Sequence, residues 1–263
     1  MAQERVKTAL FAEERRHRIA ELVNEKKTVS VDELCLLFNA SPATIRTDLN
    51  ELSGAGLLCR THGGAVSVQG VSYENLKRSV VTCLNEKKAI AEKALELIFD
   101  HDTVLLDAGS TTLELARLLS QRSGLTVIVN DINIASVLES TTDATIVFLG
   151  GILRRGIHSC VGPAAEKALA EMHIDKAFLG ANGLSAEGAT TPDPYQAQVK
   201  HMMVERARQA VLLADSTKLG KLSFCRFSQL SEFERLITDD GAAEEALKEI
   251  QETGIIIDIA KRQ

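Results

Sequence analysis

The chain of 263 residues has no long apolar run. Hydrophobic residues make up 45% of it and charged residues 25%, and the mean hydropathy is +0.01. Because no apolar segment approaches the roughly 20 residues that span a bilayer, the sequence excludes a membrane protein. The first residues are charged, with neither an apolar stretch nor a small-residue cleavage site behind them, so we expect no secretory signal. The expected location is the cytoplasm.

The sequence also lacks closely spaced pairs of cysteines. Five cysteines occur singly, without C-x-x-C spacing, and an odd number cannot all pair within one chain. Without a C-x-x-C pair the chain has no zinc-finger pattern of two cysteines followed by two histidines, so we predict free thiols and no metal site. The cysteines are Cys35, Cys59, Cys83, Cys160 and Cys225.

Two common nucleotide-binding motifs are absent. No complete G-x-G-x-x-G follows a predicted strand, and no G-x-x-x-x-G-K-[ST] occurs. This disfavours binding of a dinucleotide or of a nucleotide in a Walker-type loop. We expect no cofactor.

Charge is unevenly distributed along the chain. The net charge is -6, but residues 1–69 hold nine Lys or Arg and nine Asp or Glu, so the remainder carries all of the excess. A strongly acidic chain would not bind a polyanion over its whole surface. A neutral amino-terminal segment permits a local contact with nucleic acid.

The amino-terminal 68 residues predict a winged helix-turn-helix. Apolar periodicity predicts helices at 13–27, 31–38 and 42–53, the second capped by Ser30 and the third by Ser41. Three short helices with a tight turn between the last two are typical of a helix-turn-helix, whose last helix enters the DNA major groove.

The third predicted helix has two distinct faces. At about 100° per residue, Ile45, Leu49 and Leu52 form one apolar stripe that should pack against the other helices. The opposite face carries small, hydroxyl, amide and guanidinium groups, which suit phosphates and base edges. The residues of this segment that we expect to contact DNA are Ser41, Ala43, Thr44, Arg46, Thr47 and Asn50.

Residues 57–68 predict two short strands around a Gly63-Gly64 turn. In a winged helix-turn-helix such a hairpin lies against the DNA backbone, where Arg60 and His62 would meet phosphates and the two glycines would allow close approach. The alternative is a small helical packing domain whose surface has no function.

Residues 13–66 resemble the winged helix-turn-helix of DeoR-family bacterial transcriptional regulators. The resemblance rests on the segments 41–49 (SPATIRTDL) and 60–65 (RTHGGA). The family usually has a second arginine where this chain has Thr47, so the family's operator sequence does not carry over.

After a polar linker at 69–85, residues 86–263 predict a second, larger α/β domain. Strand-like and helix-like runs alternate from residue 86 onward, which is typical of a mainly parallel sheet covered by helices. The predicted strands are 104–106, 126–129, 146–149, 177–179, 211–213, 236–237 and 255–257.

Polar residues follow the predicted strands, where open parallel sheets bind ligands. The segment Asp107–Thr112 runs from a strand through a glycine turn into a helix, an arrangement that suits a phosphate. Asp107, Asn130 and Asp131 would read polyol hydroxyls, and Arg154 would meet a phosphate. The candidate effector-binding residues are Asp107, Gly109, Ser110, Thr111, Thr112, Asn130, Asp131, Gly150, Gly151, Arg154, Asn182, Lys200, Asp215 and Lys218. The alternative is that these residues only form turns and helix caps.

Residues 86–240 are similar to the sensor domain of the DeoR family. The motifs are DAGSTT at 107–112, LGG at 149–151, VG at 161–162, KAFLGANG at 176–183 and LADSTKLG at 213–220. The resemblance implies a fold like that of ribose-5-phosphate isomerase and a phosphorylated sugar or related metabolite as effector. It also implies a homo-oligomer, a dimer or tetramer, that represses transcription by binding double-stranded operator DNA.

An active sugar-phosphate isomerase with a DNA-binding appendage is the rival hypothesis. Related isomerases carry an acid-rich motif where this chain has residues 179–183, and Asn182 cannot accept a proton there. Glu205 is a candidate surviving base, and Lys200 a better ligand residue. We therefore expect no catalytic residues and a repressor of a carbohydrate-utilisation operon. A protein-interaction module without effector control is the third possibility.

Overall fold

A computed structural model describes residues 12–26, 28–54, 58–61, 63–67, 83–154 and 157–262. The chain divides into two compact units, Met1–Ser72 and Tyr73–Gln263. Most of the predicted linker, residues 69–82, lies outside the described residues. Each unit is therefore described by itself.

The described part of the amino-terminal unit is a winged helix-turn-helix, as predicted. Its helices are α1 (Ala12–Lys26), α2 (Val31–Phe38) and α3 (Pro42–Gly54). Its strands are β1 (Thr28–Ser30), β2 (Leu58–Thr61) and β3 (Gly64–Ser67), which form an antiparallel sheet in the order β1-β3-β2. Strand β1 was not predicted, because the sequence indicated only a short connection between the first two helices at residues 28 and 29.

Local sequence explains how these helices begin and pack. Ser30 Oγ accepts a hydrogen bond from the Glu33 N–H at 3.1 Å and so caps α2, which ends at Asn39 in the left-handed conformation (φ 48°). The predicted apolar stripe of α3 is buried, with Ile45 and Leu49 fully inaccessible to solvent. It packs against apolar residues of α1 and α2, which fixes the outward face of α3.

The carboxyl-terminal unit is a layered α/β domain. Its helices are α4 (Leu84–Leu95), α5 (Ser110–Leu118), α6 (Ile132–Thr141), α7 (Pro163–Ala170), α8 (Pro194–Arg206) and α9 (Glu244–Gln251). Its strands are β4 (Thr103–Leu106), β5 (Thr126–Val129), β6 (Thr145–Phe148), β7 (Ile152–Arg154), β8 (Ser159–Val161), β9 (Ile174–Gly180), β10 (Gly183–Ser185), β11 (Gly188–Thr191), β12 (Ala207–Leu213), β13 (Cys225–Ser228), β14 (Arg235–Asp239) and β15 (Ile256–Ala260).

Seven of these strands form a parallel sheet in the order β15-β14-β12-β9-β4-β5-β6. Each of the seven predicted strands lies in it, so the parallel sheet is confirmed. The chain moves outward from β4 to β5 and β6 on one side and then returns to β9 on the other. The order therefore reverses between β4 and β9, the kind of position at which open parallel sheets bind ligands.

The core lies on both faces of this sheet because the strands alternate. Leu105 packs with residues of α7 and α8 on one face, while Val104 and Leu106 pack with residues of α4, α5 and α6 on the other. All three side chains are fully buried. Burial on both faces explains why β4 reads as a continuous apolar run.

Several element boundaries and two small sheets differ from the prediction. The apolar pattern predicts helices at 86–99 and 112–119, whereas α4 extends from Leu84 to Leu95 and α5 from Ser110 to Leu118. The β7-β8 hairpin and the sheet β10-β11-β13 were not predicted. Across the described ranges, no helix is both long and apolar enough to cross a membrane.

Candidate functional site

The outer face of α3 presents the predicted DNA-contacting residues. Ala43, Arg46, Thr47 and Asn50 are exposed, and Thr44 is partly buried. The angular argument from the sequence therefore places these side chains correctly. Their contact with DNA remains a prediction.

Hydroxyl groups organise the start of α3. Ser41 Oγ accepts a hydrogen bond from the Thr44 N–H at 3.2 Å and lies 2.9 Å from Thr44 Oγ1. Thr47 Oγ1 donates to the Ala43 carbonyl at 3.0 Å. A hydroxyl oxygen has two lone pairs, so Thr44 Oγ1 and Thr47 Oγ1 can each still accept a hydrogen bond from a ligand.

A buried ion pair, which the sequence analysis missed, joins α1 to α3. Arg15 Nε donates to Asp48 Oδ2 at 2.6 Å and Arg15 Nη2 donates to Asp48 Oδ1 at 3.2 Å. Asp48 is only 3% exposed. An acid next to the buried Leu49, together with an arginine on the first helix, was the signal in the sequence. The ion pair holds α3 against α1.

The two wing glycines differ in their surroundings. Gly63 is exposed, and a Cβ there would meet nothing within 4 Å. Gly64 is buried against β1, where a Cβ would lie 2.0 Å from the Val29 carbonyl oxygen, so packing alone requires glycine. The backbone of Arg60 belongs to β2, but its side chain and the whole of His62 lie outside the described residues.

A buried charge pair occupies the point where the sheet order reverses. Asp107 follows β4, and Lys200 lies on α8; they are 2% and 5% exposed. Lys200 Nζ donates to Asp107 Oδ2 and, at 3.0 Å, to the Gly180 carbonyl at the end of β9. The Gly180 N–H donates to the same Asp107 oxygen at 3.2 Å. The predicted residues Asp107 and Lys200 thus come together across β4, β9 and α8.

Helix α5 begins at Ser110, three residues after Asp107 in the chain. Its N-cap, Gly109, makes no side-chain capping hydrogen bond, so the first backbone N–H groups of the helix keep their donor capacity. Ser110 is partly buried, and Thr111 is 8% exposed. Thr112 is fully buried and donates to the Gly109 carbonyl at 2.9 Å, so its hydroxyl supports the turn.

Asn130 and Asp131 at the end of β5 are both buried. Asn130 Nδ2 donates to the Cys160 carbonyl at 3.2 Å. Asp131 Oδ1 caps α6 by accepting from the N–H groups of Asn133 (2.7 Å) and Ile134 (3.2 Å). Burial raises the pKa of Asp131 to about 6, and the charge of Asp107 adds to that rise. The two carboxylates are thus close enough to interact.

The glycines and the arginine after β6 have structural partners. Gly151 has φ 130°, and a Cβ there would lie 2.6 Å from the Val161 carbonyl oxygen, while Gly150 is exposed. Arg154 forms an ion pair with the buried Asp193, which caps α8. The positive charge that the sequence analysis assigned to a phosphate is therefore matched by a carboxylate in this structure.

The remaining predicted residues lie at two other strand ends. Asn182 is exposed, and its Oδ1 accepts from Thr191 Oγ1 at 3.2 Å. Asp215 is 2% exposed and accepts from the Thr217 N–H at 3.1 Å, with Lys218 Nζ 3.9 Å from its other oxygen. Asp215 and Lys218 thus form a second group of charges.

Lys87 joins that second group and was not predicted. It lies in the first turn of α4 and is 2% exposed. Burial lowers its pKa, while the negative charge of Asp215 opposes that change. Lys87 shares a helix face with the fully buried Ile90, Ala91 and Ala94. A lysine on this apolar stripe is the sequence feature that could have predicted its burial.

Glu205, the sequence candidate for a surviving catalytic base, is exposed and lies 3.8 Å from the guanidinium of Arg206. It does not belong to the buried group around Lys200, which lies five residues earlier on α8.

Within the described ranges, no cluster of three or more His, Cys, Asp and Glu side chains is arranged to hold a metal ion.

Two domain families match the chain and together cover most of it. The DeoR-like helix-turn-helix domain matches residues 15–71, and the DeoR C terminal sensor domain matches residues 82–240.

Relatives match along nearly their whole length. The HTH-type transcriptional regulator GlpR of Haloferax volcanii is 39% identical over 93% of this chain and 96% of its own. The HTH-type transcriptional repressor GlcR of Bacillus subtilis is 33% identical over 88% of this chain and 89% of its own. The transcriptional repressor AccR of Agrobacterium fabrum is 36% identical over 87% of this chain and 90% of its own.

Solved structures are more distant. Ribose 5-phosphate isomerase A of Methanocaldococcus jannaschii has a TM-score of 0.37 and 18% identity, covering 56% of this chain and 55% of the isomerase. So weak a likeness says nothing about activity. The family matches and the long relatives place this chain in the DeoR family of HTH-type transcriptional regulators.

Proposed function

We propose that this protein represses a carbohydrate-utilisation operon and that a phosphorylated sugar or related metabolite controls it. The observation that carries the proposal is the site at the sheet reversal. A buried Asp107–Lys200 pair lies there, and α5 begins three residues after Asp107, at an N-cap glycine that has no side chain to cap the first N–H groups. Backbone N–H groups at a helix start bind phosphate, and the adjacent carboxylate accepts from hydroxyls.

The proposed effector site extends along the carboxyl ends of the strands. Gly109, Ser110 and Thr111 would hold the phosphate, with Thr112 shaping the turn. Asp107, Asn130 and Asp131 would accept from sugar hydroxyls. Further proposed contacts are Gly150, Gly151, Arg154, Asn182, Lys200, Asp215 and Lys218.

The amino-terminal unit would bind double-stranded operator DNA through α3 and the wing. Arg46 is the long exposed cation of α3, so we assign it to a phosphate or a guanine edge. The shorter side chains Ser41, Ala43, Thr44, Thr47 and Asn50 would approach the bases and backbone. Arg60, His62, Gly63 and Gly64 of the wing would lie against the phosphates.

Control of DNA binding follows from linkage. An effector that binds more tightly to one arrangement of a homo-oligomer shifts the population toward it, and the affinity for DNA changes by the same coupling free energy. A dimer or tetramer with paired DNA-binding units would require half-sites separated by whole helical turns.

We propose binding without turnover for this site. Aldose–ketose isomerisation needs a carboxylate that can move a proton between neighbouring carbons. Asn182 has no such group, Glu205 is exposed, and Asp107 Oδ2 already accepts from Lys200 and Gly180. An isomerase assay on each sugar phosphate that binds tests this point, because turnover would support the rival hypothesis.

A thermal-shift screen of the purified chain tests the effector. The probes are ribose 5-phosphate, fructose 1-phosphate, fructose 6-phosphate, glucose 6-phosphate and glycerol 3-phosphate, with inorganic phosphate for comparison. A ligand that binds only the folded state raises the melting temperature. Each hit is then added to binding assays with DNA from beside the protein's own gene, at several salt concentrations.

Two variants test the division of labour. Arg46→Ala should lose affinity for DNA and keep affinity for the effector, while Arg18→Ala, which removes an exposed arginine from α1, is its matched control. The double variant Asp107→Asn/Lys200→Met should lose effector response and keep DNA binding. If both variants lost both activities while remaining folded by circular dichroism, the assignment would be wrong.

A further inference from the structure

The end of β5 and the strand β8 meet through backbone hydrogen bonds. Asp131 pairs with Ser159 in an isolated antiparallel bridge. The Cys160 N–H donates to the Asn130 carbonyl at 2.7 Å, and the Ile132 N–H donates to the His158 carbonyl at 3.0 Å. Residues 130 and 131 are therefore fixed against residues 158–160.

Two buried oxygens at this junction have no hydrogen-bond partner among the described residues. They are Asn130 Oδ1 and Ser159 Oγ. Asn130 is 2% exposed and Ser159 is 0% exposed. Native proteins rarely leave such atoms unpaired, because each costs the free energy of its lost hydration.

The orientation of the Asn130 amide is determined by its neighbour. Its Nδ2 donates to the Cys160 carbonyl at 3.2 Å, so the amide oxygen must be on the other side. Turning the amide over would place two oxygens against each other. The unpaired acceptor is therefore a consequence of the packing of β5 against β8.

Asp131 adds a carboxylate to the same junction. Its Oδ1 accepts both hydrogen bonds of the α6 cap, and a carboxylate has further lone pairs for other donors. Asp131 is 5% exposed. The negative charge of its carboxylate disfavours a second anion from a ligand at this junction.

We infer that Asn130, Asp131 and Ser159 form a subsite for uncharged hydroxyl groups of the effector, away from its phosphate. The inference rests on the proposed effector function and adds Ser159 to its residues. Hydroxyls donate to the Asn130 and Asp131 oxygens and exchange a hydrogen bond with Ser159 Oγ. A sugar end bearing a carboxylate meets the like charge of Asp131 and binds more weakly.

Titration calorimetry of wild type and Ser159→Ala tests the subsite. The probes are the sugar phosphates of the screen and inorganic phosphate. Each sugar phosphate that binds wild type is expected to lose about 3- to 10-fold in affinity, the worth of one hydrogen bond, while inorganic phosphate binds equally well. Ser140→Ala, which removes an exposed hydroxyl from α6, is the control and should change neither affinity.

The melting temperature of Ser159→Ala shows whether Ser159 contributes to a ligand subsite or to packing. If Ser159 Oγ has no partner in the free protein, Ser159→Ala melts at the wild-type temperature or above it. Unchanged affinity for every sugar phosphate would overturn the subsite and leave the proposed effector class standing. If no sugar phosphate binds wild type, both the effector class and the subsite are wrong.

A second variant tests the charge preference. Glucose 6-phosphate and 6-phosphogluconate share their phosphate and differ at the opposite end, which is an uncharged hydroxyl-bearing carbon in one and a carboxylate in the other. Wild type should prefer glucose 6-phosphate, and Asp131→Asn should reduce the ratio of the two affinities by at least 3-fold. A ratio that the variant does not change, or a wild type that prefers the acid, would contradict the inference.

Discussion

Asp107 and Lys200, 93 residues apart in sequence, form a buried ion pair across the reversal point of the sheet. The pair joins the end of β4 to α8, and Lys200 also donates to the Gly180 carbonyl at the end of β9. Three elements that converge on the candidate site are therefore held by one lysine. The charge of Asp107 is balanced within the protein before any ligand binds.

Removing either member of this pair should destabilise the sensor domain more than removing both. Asp107→Asn or Lys200→Met leaves a buried charge uncompensated, which costs about 3–5 kcal/mol, whereas the double variant leaves none. Urea unfolding of the full chain, followed by circular dichroism, gives the coupling free energy from the four proteins.

The exposed pair Arg262–Asp240, at 2.7 Å, is the control for that cycle. It should give a coupling of at most about 1 kcal/mol, because solvent screens it. Equal coupling for the two pairs would show that burial of the Asp107–Lys200 pair has no energetic consequence.

Asp48→Asn should impair DNA binding by destabilising α3 rather than by removing a DNA contact. The change breaks the two charge-assisted hydrogen bonds with Arg15 at 2.6 and 3.2 Å, and we expect a loss of about 2–3 kcal/mol in the unfolding free energy of the amino-terminal unit. Glu14→Gln, which breaks the exposed pair with Arg18, should cost less than about 0.5 kcal/mol.

Arg46→Ala should behave differently from Asp48→Asn. It should lower DNA affinity with little change in the unfolding free energy, because Arg46 is exposed. We expect Asp48→Asn to lower the melting temperature of the amino-terminal unit together with its DNA affinity. An Asp48→Asn variant that kept full stability but lost DNA binding would instead identify Asp48 as a contact residue.

The sequence predicted those parts of the fold that depend on neighbouring residues. The stripe of Ile45, Leu49 and Leu52 follows from helical periodicity, and each of these side chains is at most 5% exposed. The run at 104–106 follows from burial on both faces of the sheet. Asp107 was found because a polar residue after a buried strand lies at the edge where ligands bind.

The missed features depend on contacts distant in sequence or on very short elements. The Arg154–Asp193 pair joins residues 39 apart, and no local pattern connects them. Strand β1 has three residues, too few to show an alternation of period two. Ser159 lies in another three-residue strand, and only the folded chain brings it next to Asp131.

The two wing glycines should respond oppositely to a methyl group. Gly64→Ala places a Cβ 2.0 Å from the Val29 carbonyl oxygen, so β1 and β3 must separate, and we expect a loss of more than about 2 kcal/mol. Gly63→Ala meets nothing within 4 Å and should change stability by less than about 0.5 kcal/mol. Thermal melts of both variants measure the difference, and equal melting temperatures would contradict the tight β1–β3 contact.

Asp131→Asn should stabilise the protein at neutral pH and not at acid pH. The folded-state pKa is raised from 3.8 to about 6, so between these values the folded state binds more protons than the unfolded state. Wild type therefore loses stability as pH rises from about 4 to 6, by about 2–3 kcal/mol in total. Asparagine does not ionise, and it caps a helix about as well as aspartate. The variant should therefore keep its unfolding free energy as pH rises through this range.

The groups that bear on this titration are known from the structure. Asp107 raises the pKa of Asp131, while His158 and the N–H groups of Asn133 and Ile134 lower it. Burial raises the pKa of the Cys160 thiol, and the negative charge of Asp131 adds to that rise. Urea unfolding at several pH values between 4 and 8 should give a stability difference near zero at pH 4 that grows to its full value by pH 7. Asp143→Asn, an exposed carboxylate in the loop after α6, should show no such trend. A difference for Asp131→Asn that is constant with pH would mean that the buried carboxylate imposes no ionisation cost on the folded state.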